Sequence, residues 1–396
     1  MRVDISVGSR FHAFDLAREL DRLGVLRYLY TGYPGYSHRR FGLRRECMRT
    51  FPWHEVIYRA YEFAANRRIA PRGHGQIFRS WFDSSVAQTL APGADVFIGF
   101  SGMCIKSLMR AQAVGAMAIV ERGSTHISFQ HDILAEESRI TGLEVELPAL
   151  QSIDREMKEY SNADYIAVPT AFAKATFVER GIASQKVLVN PYGVDLTRFL
   201  TRRPHTYEVG KPTTVIHVGR VSARKGIQYL VDAVGRCANV RLLLVGGIDP
   251  GVERLIKRPF VTVVGAVPGS ELPRYYEQAD IFALLSIEEG LALVIPQAMA
   301  MGLPIVATPN TGAEAVMRPN IDGLLVPIRD PTRAAEAIQR LVDEPDLRQA
   351  MGIAARQRVS DGFSWVDYGN RAADIYARIL RQRSDNSGCI SILKQK

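Results

Sequence analysis

Cysteine is scarce and scattered. The 396-residue chain holds four, Cys47, Cys104, Cys237 and Cys389, with no CxxC pair and no histidine cluster beside them. That pattern speaks against a structural zinc and fits a reducing compartment. The Gly-x-Gly-x-x-Gly dinucleotide fingerprint is missing, which weighs against an NAD enzyme. No Asp-x-Asp pair occurs, so a metal bridging carboxylates to a diphosphate has no support, and neither metal nor cofactor is expected. The opening residues MRVDISV read as a strand rather than a charged-then-apolar signal. One uncharged run, Gly290 to Ala307, is long enough to raise a membrane span, but Pro296, Gln297, Gly302 and Pro304 argue against it. Internal repeats and low-complexity segments are absent as well. The expected location is the cytoplasm.

The length suits two domains, and with 47% hydrophobic residues each can bury a core. The net charge of +9 is uneven: residues 38–79 carry ten arginines against three glutamates, interleaved with Phe41, Phe51, Trp53, Tyr58, Tyr61, Phe63 and Phe78. Such a segment fits either a solvated helical face or a basic-aromatic surface for anionic lipid headgroups, which would make the protein peripheral on the inner membrane face. Nucleic acid is not expected as a partner, since no recognition motif accompanies the charge.

Residues 2–8 form a strand, and Gly8 to His12 lead into a helix with Phe14, Leu16, Ala17 and Leu20 near helical spacing. Further strands are expected at Val96–Phe100, Ala118–Val120, Tyr165–Val168 and Val187–Asn190. The loops after them lie where a doubly wound sheet binds ligands. His12 sits in the first such loop, either near a ligand or simply as a loop histidine. Glu121 to His126 (ERGSTH) is dense in polar groups after an apolar strand.

A second set of strands follows at 214–218, 242–245, 261–264 and 281–285. The loop Gly219 to Gly226 is not a P-loop, because the Gly-Lys-Ser/Thr ending is missing, yet it sets cations between a strand and a helix. A leaving diphosphate gains negative charge as its bond breaks, so preplaced Arg and Lys favour that transition state. The chain is organised around Ser286 to Thr308: an acidic loop with Glu288 and Glu289, a helix from about Leu291, a turn at Gly302 and Pro304, and a strand Leu303–Ala307. The amides of Gly290, Leu291, Ala292 and Leu293 at that helix start are candidates for holding an anion.

Glu289, seven residues, Gln297, a small-residue helix and a Gly-x-Pro strand entry resemble the donor-site signature of family 4 glycosyltransferases, which are retaining enzymes of the GT-B class. The family has Glu where Gln297 stands; an amide still accepts one hydrogen bond while donating another. Arg220 and Lys225 match the family's Gly-Arg…Lys-Gly phosphate pair, and Pro191 to Asp195 with Phe199 resemble its domain crossing. The resemblance implies α/β architecture with two Rossmann-like domains facing across a cleft: an acceptor-side domain 1–205, a nucleotide-sugar domain 206–362, a helix 363–382 crossing back to the first, and a tail 383–396, expected to be disordered.

It also implies the roles. His126 would face the reacting sugar, with Arg220, Lys225 and Glu289 as its catalytic companions. Gly265 and Val267 would meet the nucleobase, and Gln297 the ribose. Arg122 and His12 would lie on the acceptor side. The implied reaction is metal-independent transfer of a sugar, with retention, from a nucleotide-diphosphate donor to a glycan or lipid-linked acceptor, and the Arg-rich segment suggests a lipid-linked or envelope polysaccharide acceptor. A non-catalytic scaffold, a nucleotide-sugar epimerase and a phosphorylase remain open in the same cleft.

Overall fold

The computed structural model describes residues 1–9, 11–67, 75–200 and 211–393. Two parallel sheets dominate it. The first comprises Val3–Val7 (β1), Leu26–Thr31 (β2), Met48–Thr50 (β3), Val96–Phe100 (β4), Met117–Glu121 (β5), Tyr165–Val168 (β6) and Val187–Val189 (β7), in the order β3-β2-β1-β4-β5-β6-β7. The second comprises Thr213–Val218 (β8), Val240–Val245 (β9), Val261–Gly265 (β10), Ile281–Leu284 (β11), Ile305–Ala307 (β12) and Gly323–Leu325 (β13), in the order β10-β9-β8-β11-β12-β13. Helices cover both faces of a parallel sheet, so its central strands are shielded from solvent: β1, β4, β5, β8 and β11 are buried at every residue, and β4 and β11 are apolar throughout.

Each sheet reverses its winding once, between β1 and β4 and between β8 and β11. At such a switch point the neighbouring crossovers run to opposite sides and leave a crevice beyond the carboxyl ends of the strands. The loops at these ends include Gly8, Ser9, Phe11 and His12 and residues 101–103 in the first sheet, and residues 219–226 and 286–289 in the second.

One of the apolar clusters spans both sheets. Val3, Ile5 and Leu16 belong to the same buried cluster as Phe199, Ile216, Ile295 and Tyr376. The helix Trp365–Leu393 returns to the first sheet and packs on the helix Ala13–Arg22. Gly369 lies so close to Glu19 that a Cβ would stand 2.2 Å from the Glu19 Cβ. Arg371 ties the helix down by donating to Asn190 Oδ1 (3.1 Å) and to the Pro191 carbonyl (2.8 Å).

Three expectations change. The segment 384–393, expected as part of a disordered tail, continues this helix, because adding a residue to an existing helix needs no new nucleus. The central helix spans Val294–Ala300 and starts three residues later than expected, since the Ala292 amide is bound to the Thr311 carbonyl instead (3.1 Å). Three strands, β2, β3 and β13, were not anticipated. The expected domain boundary at residue 205 lies outside the described residues, as do Arg68 and Arg72. Among the described residues no helix is long and apolar enough to cross a membrane.

Candidate functional site

A cavity of about 320 Å³ lies between the two sheets, lined on one wall by Arg122, Gln130 and Glu156 and on the other by Arg220, Arg224, Lys225 and Asp249. The loop after β8 brings three cations to it. Gly226 makes this possible: its φ is +70°, and a Cβ there would stand 1.9 Å from the Leu285 carbonyl oxygen, so only glycine lets the loop rest on the end of β11. Lys225 forms an ion pair with Glu289. Arg224 reaches Glu288 at 2.9 Å and Glu289 at 3.8 Å. Arg220 is the outermost of the three, exposed, and paired with Asp249 at 2.6 Å.

Glu288 is wholly buried, and its carboxylate spans the gap between the walls. It accepts from Ser124 Oγ (2.6 Å), Thr125 Oγ1 (2.5 Å) and Gln130 Nε2 (2.9 Å) on the far side. Burial alone would raise its pKa; the Arg224 guanidinium and the Ser124 and Thr125 hydroxyls outweigh that and hold it below the usual carboxylate range. Beside it, Gly290 touches the opposite loop: a Cβ there would lie 2.2 Å from the Gly123 carbonyl oxygen. Its own carbonyl accepts from Thr170 Oγ1 at 3.0 Å.

On the first wall, Arg122 donates to Glu156, to Gln130 (2.8 Å) and to the Thr125 carbonyl (3.1 Å), which fixes its guanidinium along the cavity. His126 is placed differently from its expected role. It caps the helix Ile127–Thr141, its Nδ1 accepting the Ser128 amide at 3.2 Å, and its ring packs between Tyr160 and Phe177 at 1% exposure. The cap turns the ring into the core, and it does not line the cavity. Burial, followed by the nearby Arg180 and Arg122 charges, pushes its pKa down to about 4, so the ring is neutral at pH 7. His12 pairs with Glu121 at 3.0 Å and stacks on Tyr192, 4.1 Å between ring centroids.

The remaining candidates lie along the second sheet. Gly265 ends β10 at a φ of +85°. Val267 and Leu293 are half-buried against the same apolar cluster. Gln297 is half-buried, its Oε1 accepting from Tyr276 Oη at 3.2 Å. Leu291 and Ala292 are buried, and the amide of Ala292, once grouped with those free to hold an anion, is the one spent on Thr311. Among the described residues no group of three His, Cys, Asp or Glu side chains has the geometry to hold a metal.

Reasoning from the sequence missed two buried carboxylates that join the walls. Glu288 was visible only as part of an acidic pair. Glu137 went unnoticed; it accepts from Arg329 Nε (2.7 Å), Gln228 Nε2 (2.7 Å) and Tyr229 Oη (2.8 Å), all from the other half of the chain. A glutamate in a mixed helix carries no signal of such distant partners.

Residues 212–344 match the family model for Glycosyl transferases group 1. The chain is 29% identical over 256 residues to a GDP-mannose-dependent alpha-(1-6)-phosphatidylinositol monomannoside mannosyltransferase of Mycobacterium tuberculosis, a match covering 58% of this chain and 65% of that one. It is 30% identical over 259 residues to a D-inositol 3-phosphate glycosyltransferase of Corynebacterium kroppenstedtii, covering 57% of this chain and 56% of that one. The chain therefore spans somewhat over half the length of these relatives. Among solved structures, sucrose-phosphate synthase from Thermosynechococcus elongatus superposes with a TM-score of 0.67 at 20% identity, over 96% of this chain and 100% of that one. Anabaena HepE in complex with UDP and glucose gives 0.66 at 17%, over 96% and 100%.

Proposed function

We propose that this chain, whose residues 212–344 match the model for Glycosyl transferases group 1 and whose fold is that of GT-B enzymes, moves a sugar from a nucleotide-diphosphate donor to a hydroxyl of a glycan or lipid-linked acceptor. The observation that carries this reading is the convergence of Arg220, Arg224 and Lys225 on one wall of a cavity whose other wall presents Arg122. Four cations around one space suit a diphosphate whose charge grows as its bond to the sugar breaks. Glu289, held by Lys225, supplies a carboxylate for sugar hydroxyls.

In the transfer, the bond between the anomeric carbon and the phosphate oxygen breaks, and its electron pair leaves with the nucleoside diphosphate. The acceptor hydroxyl oxygen bonds to that carbon on the same face, and its proton passes to the departing phosphate oxygen. Configuration is thereby retained without a protein nucleophile. Arg220, Arg224 and Lys225 take the charge a metal would otherwise neutralise, so turnover proceeds in the presence of chelator. Because a mycobacterial relative is named for GDP-mannose and a phosphatidylinositol mannoside, GDP-mannose is the first donor to try and a lipid-borne hydroxyl the first acceptor.

A thermal-shift screen against GDP, UDP and ADP and their sugar conjugates, run with chelator, tests the reading. A ligand that binds only the native state raises the melting temperature; at a hundredfold excess over Kd this is worth about 2.7 kcal/mol. One diphosphate should raise it, and Lys225→Ala should abolish the rise. No rise with any nucleotide would sink the proposal. Gln297 in place of the family's Glu favours a second reading, a binding protein without turnover; binding with no sugar released or transferred would select it.

A further inference from the structure

Glu288 is saturated. One carboxylate oxygen takes Ser124 Oγ, Thr125 Oγ1 and, at 3.3 Å, the Thr125 amide; the other takes Gln130 Nε2 and the Arg224 guanidinium, whose Nε lies 3.1 Å away. A carboxylate accepts about four hydrogen bonds, so Glu288 has no capacity left for a sugar hydroxyl, in contrast to Glu289. Packing alone does not call for a charge here, because a buried carboxylate is costly unless every lone pair finds a partner. What the charge secures is the placement of its partners.

Those partners belong to both walls. Arg224 lines the cavity and is held twice by the same residue, since its Nε also donates to the Glu288 carbonyl at 3.2 Å. Gln130, held through its amide nitrogen by Glu288, accepts from Arg122 Nη2 through its oxygen at 2.8 Å. Arg122 then continues to Glu156 at 3.0 Å. One carboxylate therefore sets the position of a cation on the second wall directly and of a cation on the first wall through one amide.

We propose that Glu288 is a positioning residue that keeps the cationic groups of the two cleft walls in register for transfer, while drawing off part of the Arg224 charge that would otherwise grip the diphosphate. The proposal rests on the glycosyl-transfer reading. It makes an unusual demand: removing the charge should move binding and turnover in opposite directions.

The experiment compares wild type, Glu288→Gln and Thr125→Val by calorimetric titration with GDP and UDP and by transfer rate with the matching sugar donor. In Glu288→Gln the released Arg224 charge should tighten nucleoside-diphosphate binding by about threefold, whereas kcat should fall by at least about tenfold as the walls lose register. Thr125→Val keeps the Arg224 pair and loses one cross-wall hydroxyl, so kcat should fall with binding unchanged. Parallel weakening of binding and turnover in Glu288→Gln, or no change in either, would overturn the proposal. If Glu288→Gln does not fold, Thr125→Val combined with Ser124→Ala carries the same test of kcat against binding. Hydrogen exchange adds a readout independent of activity: the Thr125 amide should lose protection in ligand-free Glu288→Gln, and retained protection counts against the clasp. A wild-type chain that binds no nucleoside diphosphate, with that protection still lost in the variant, would instead overturn the transfer reading and leave the clasp standing.

Discussion

A neutral imidazole buried at the start of a helix makes a protein sensitive to acid. Burial pushes the pKa of His126 down to about 4, and the same cause pushes that of His217 to about 4. Both lie below the ordinary value of 6.5, so between those limits the unfolded chain binds more protons than the native one. Their stability is complete above pH 6.5 and is lost as pH falls toward 4. Glu159 acts the other way: burial pushes it up to about 7, so its cost is greatest above pH 7 and relaxes as pH falls. His54, lowered by burial as well, adds to the histidine side, and against Glu159 the histidines leave a net loss on acidification. The melting temperature should fall between pH 7 and pH 5, and less steeply in His126→Asn. Asparagine keeps the cap but not the ring's packing on Tyr160 and Phe177, so the comparison is of the slope with pH, each protein referred to its own stability at pH 7. An equally steep fall would show that His126 is not the group responsible. The residue also marks the limit of sequence reading. ERGSTH was legible as a polar loop after a buried strand, but which side chain would face the cavity was decided by a cap two residues long, and the geometry chose Arg122.

Among the elements, the helices Pro52–Asn66 and Gly75–Thr89 stand apart. They expose Trp53 (70%), Val56, Ile57, Phe63, Ile77 (60%) and Trp81. Exposed Arg44, Arg45, Arg49, Arg59 and Arg79 accompany them. Apolar groups that sink into headgroups, combined with cations that attract them, are the physical requirements of a monotopic membrane surface. The chain should co-sediment with vesicles containing anionic lipid at physiological salt, and Trp53→Ser with Ile77→Ser should reduce the bound fraction several-fold without altering nucleotide binding. Vesicles left untouched by the wild type would remove the membrane from the functional picture. Strands with unbroken apolar runs, such as Val96–Phe100 and Ile281–Leu284, were readable directly, because burial on both faces leaves no polar alternation. Leu26–Thr31 was not, since an arginine and two tyrosines interrupt its apolar pattern, and Met48–Thr50 is three residues inside a basic segment. The late start of the helix Val294–Ala300 follows from the contact with Thr311, which no local pattern announces.

At the scale of the whole molecule, the two halves are joined at both ends of the cavity. Glu288 works at one side; at the other, the helix Ile127–Thr141 offers Glu136 and Glu137 to Arg329, and Leu143 and Val145 pack against the apolar core of the second sheet. Glu137 is wholly buried. Removing one partner of a buried pair leaves a charge without compensation and costs about 3–5 kcal/mol. Arg329→Ala should therefore lower the melting temperature and open the cleft, seen as a larger radius of gyration that shrinks again on adding the nucleoside diphosphate. Unchanged scattering and melting would mean that Gln228 and Tyr229 suffice to hold the halves together.

The return of the last helix to the first sheet bears on how the protein is made. Leu16, Ala17 and Leu20 share one buried cluster with Tyr368, Ala372, Tyr376 and Ile379, and Gly369 lies against Glu19. A ribosome working from the N-terminus exposes the first helix long before residue 365 emerges. The first half is therefore completed last, after the second has been synthesised, and until that moment its apolar stripe is open to solvent and to chaperones.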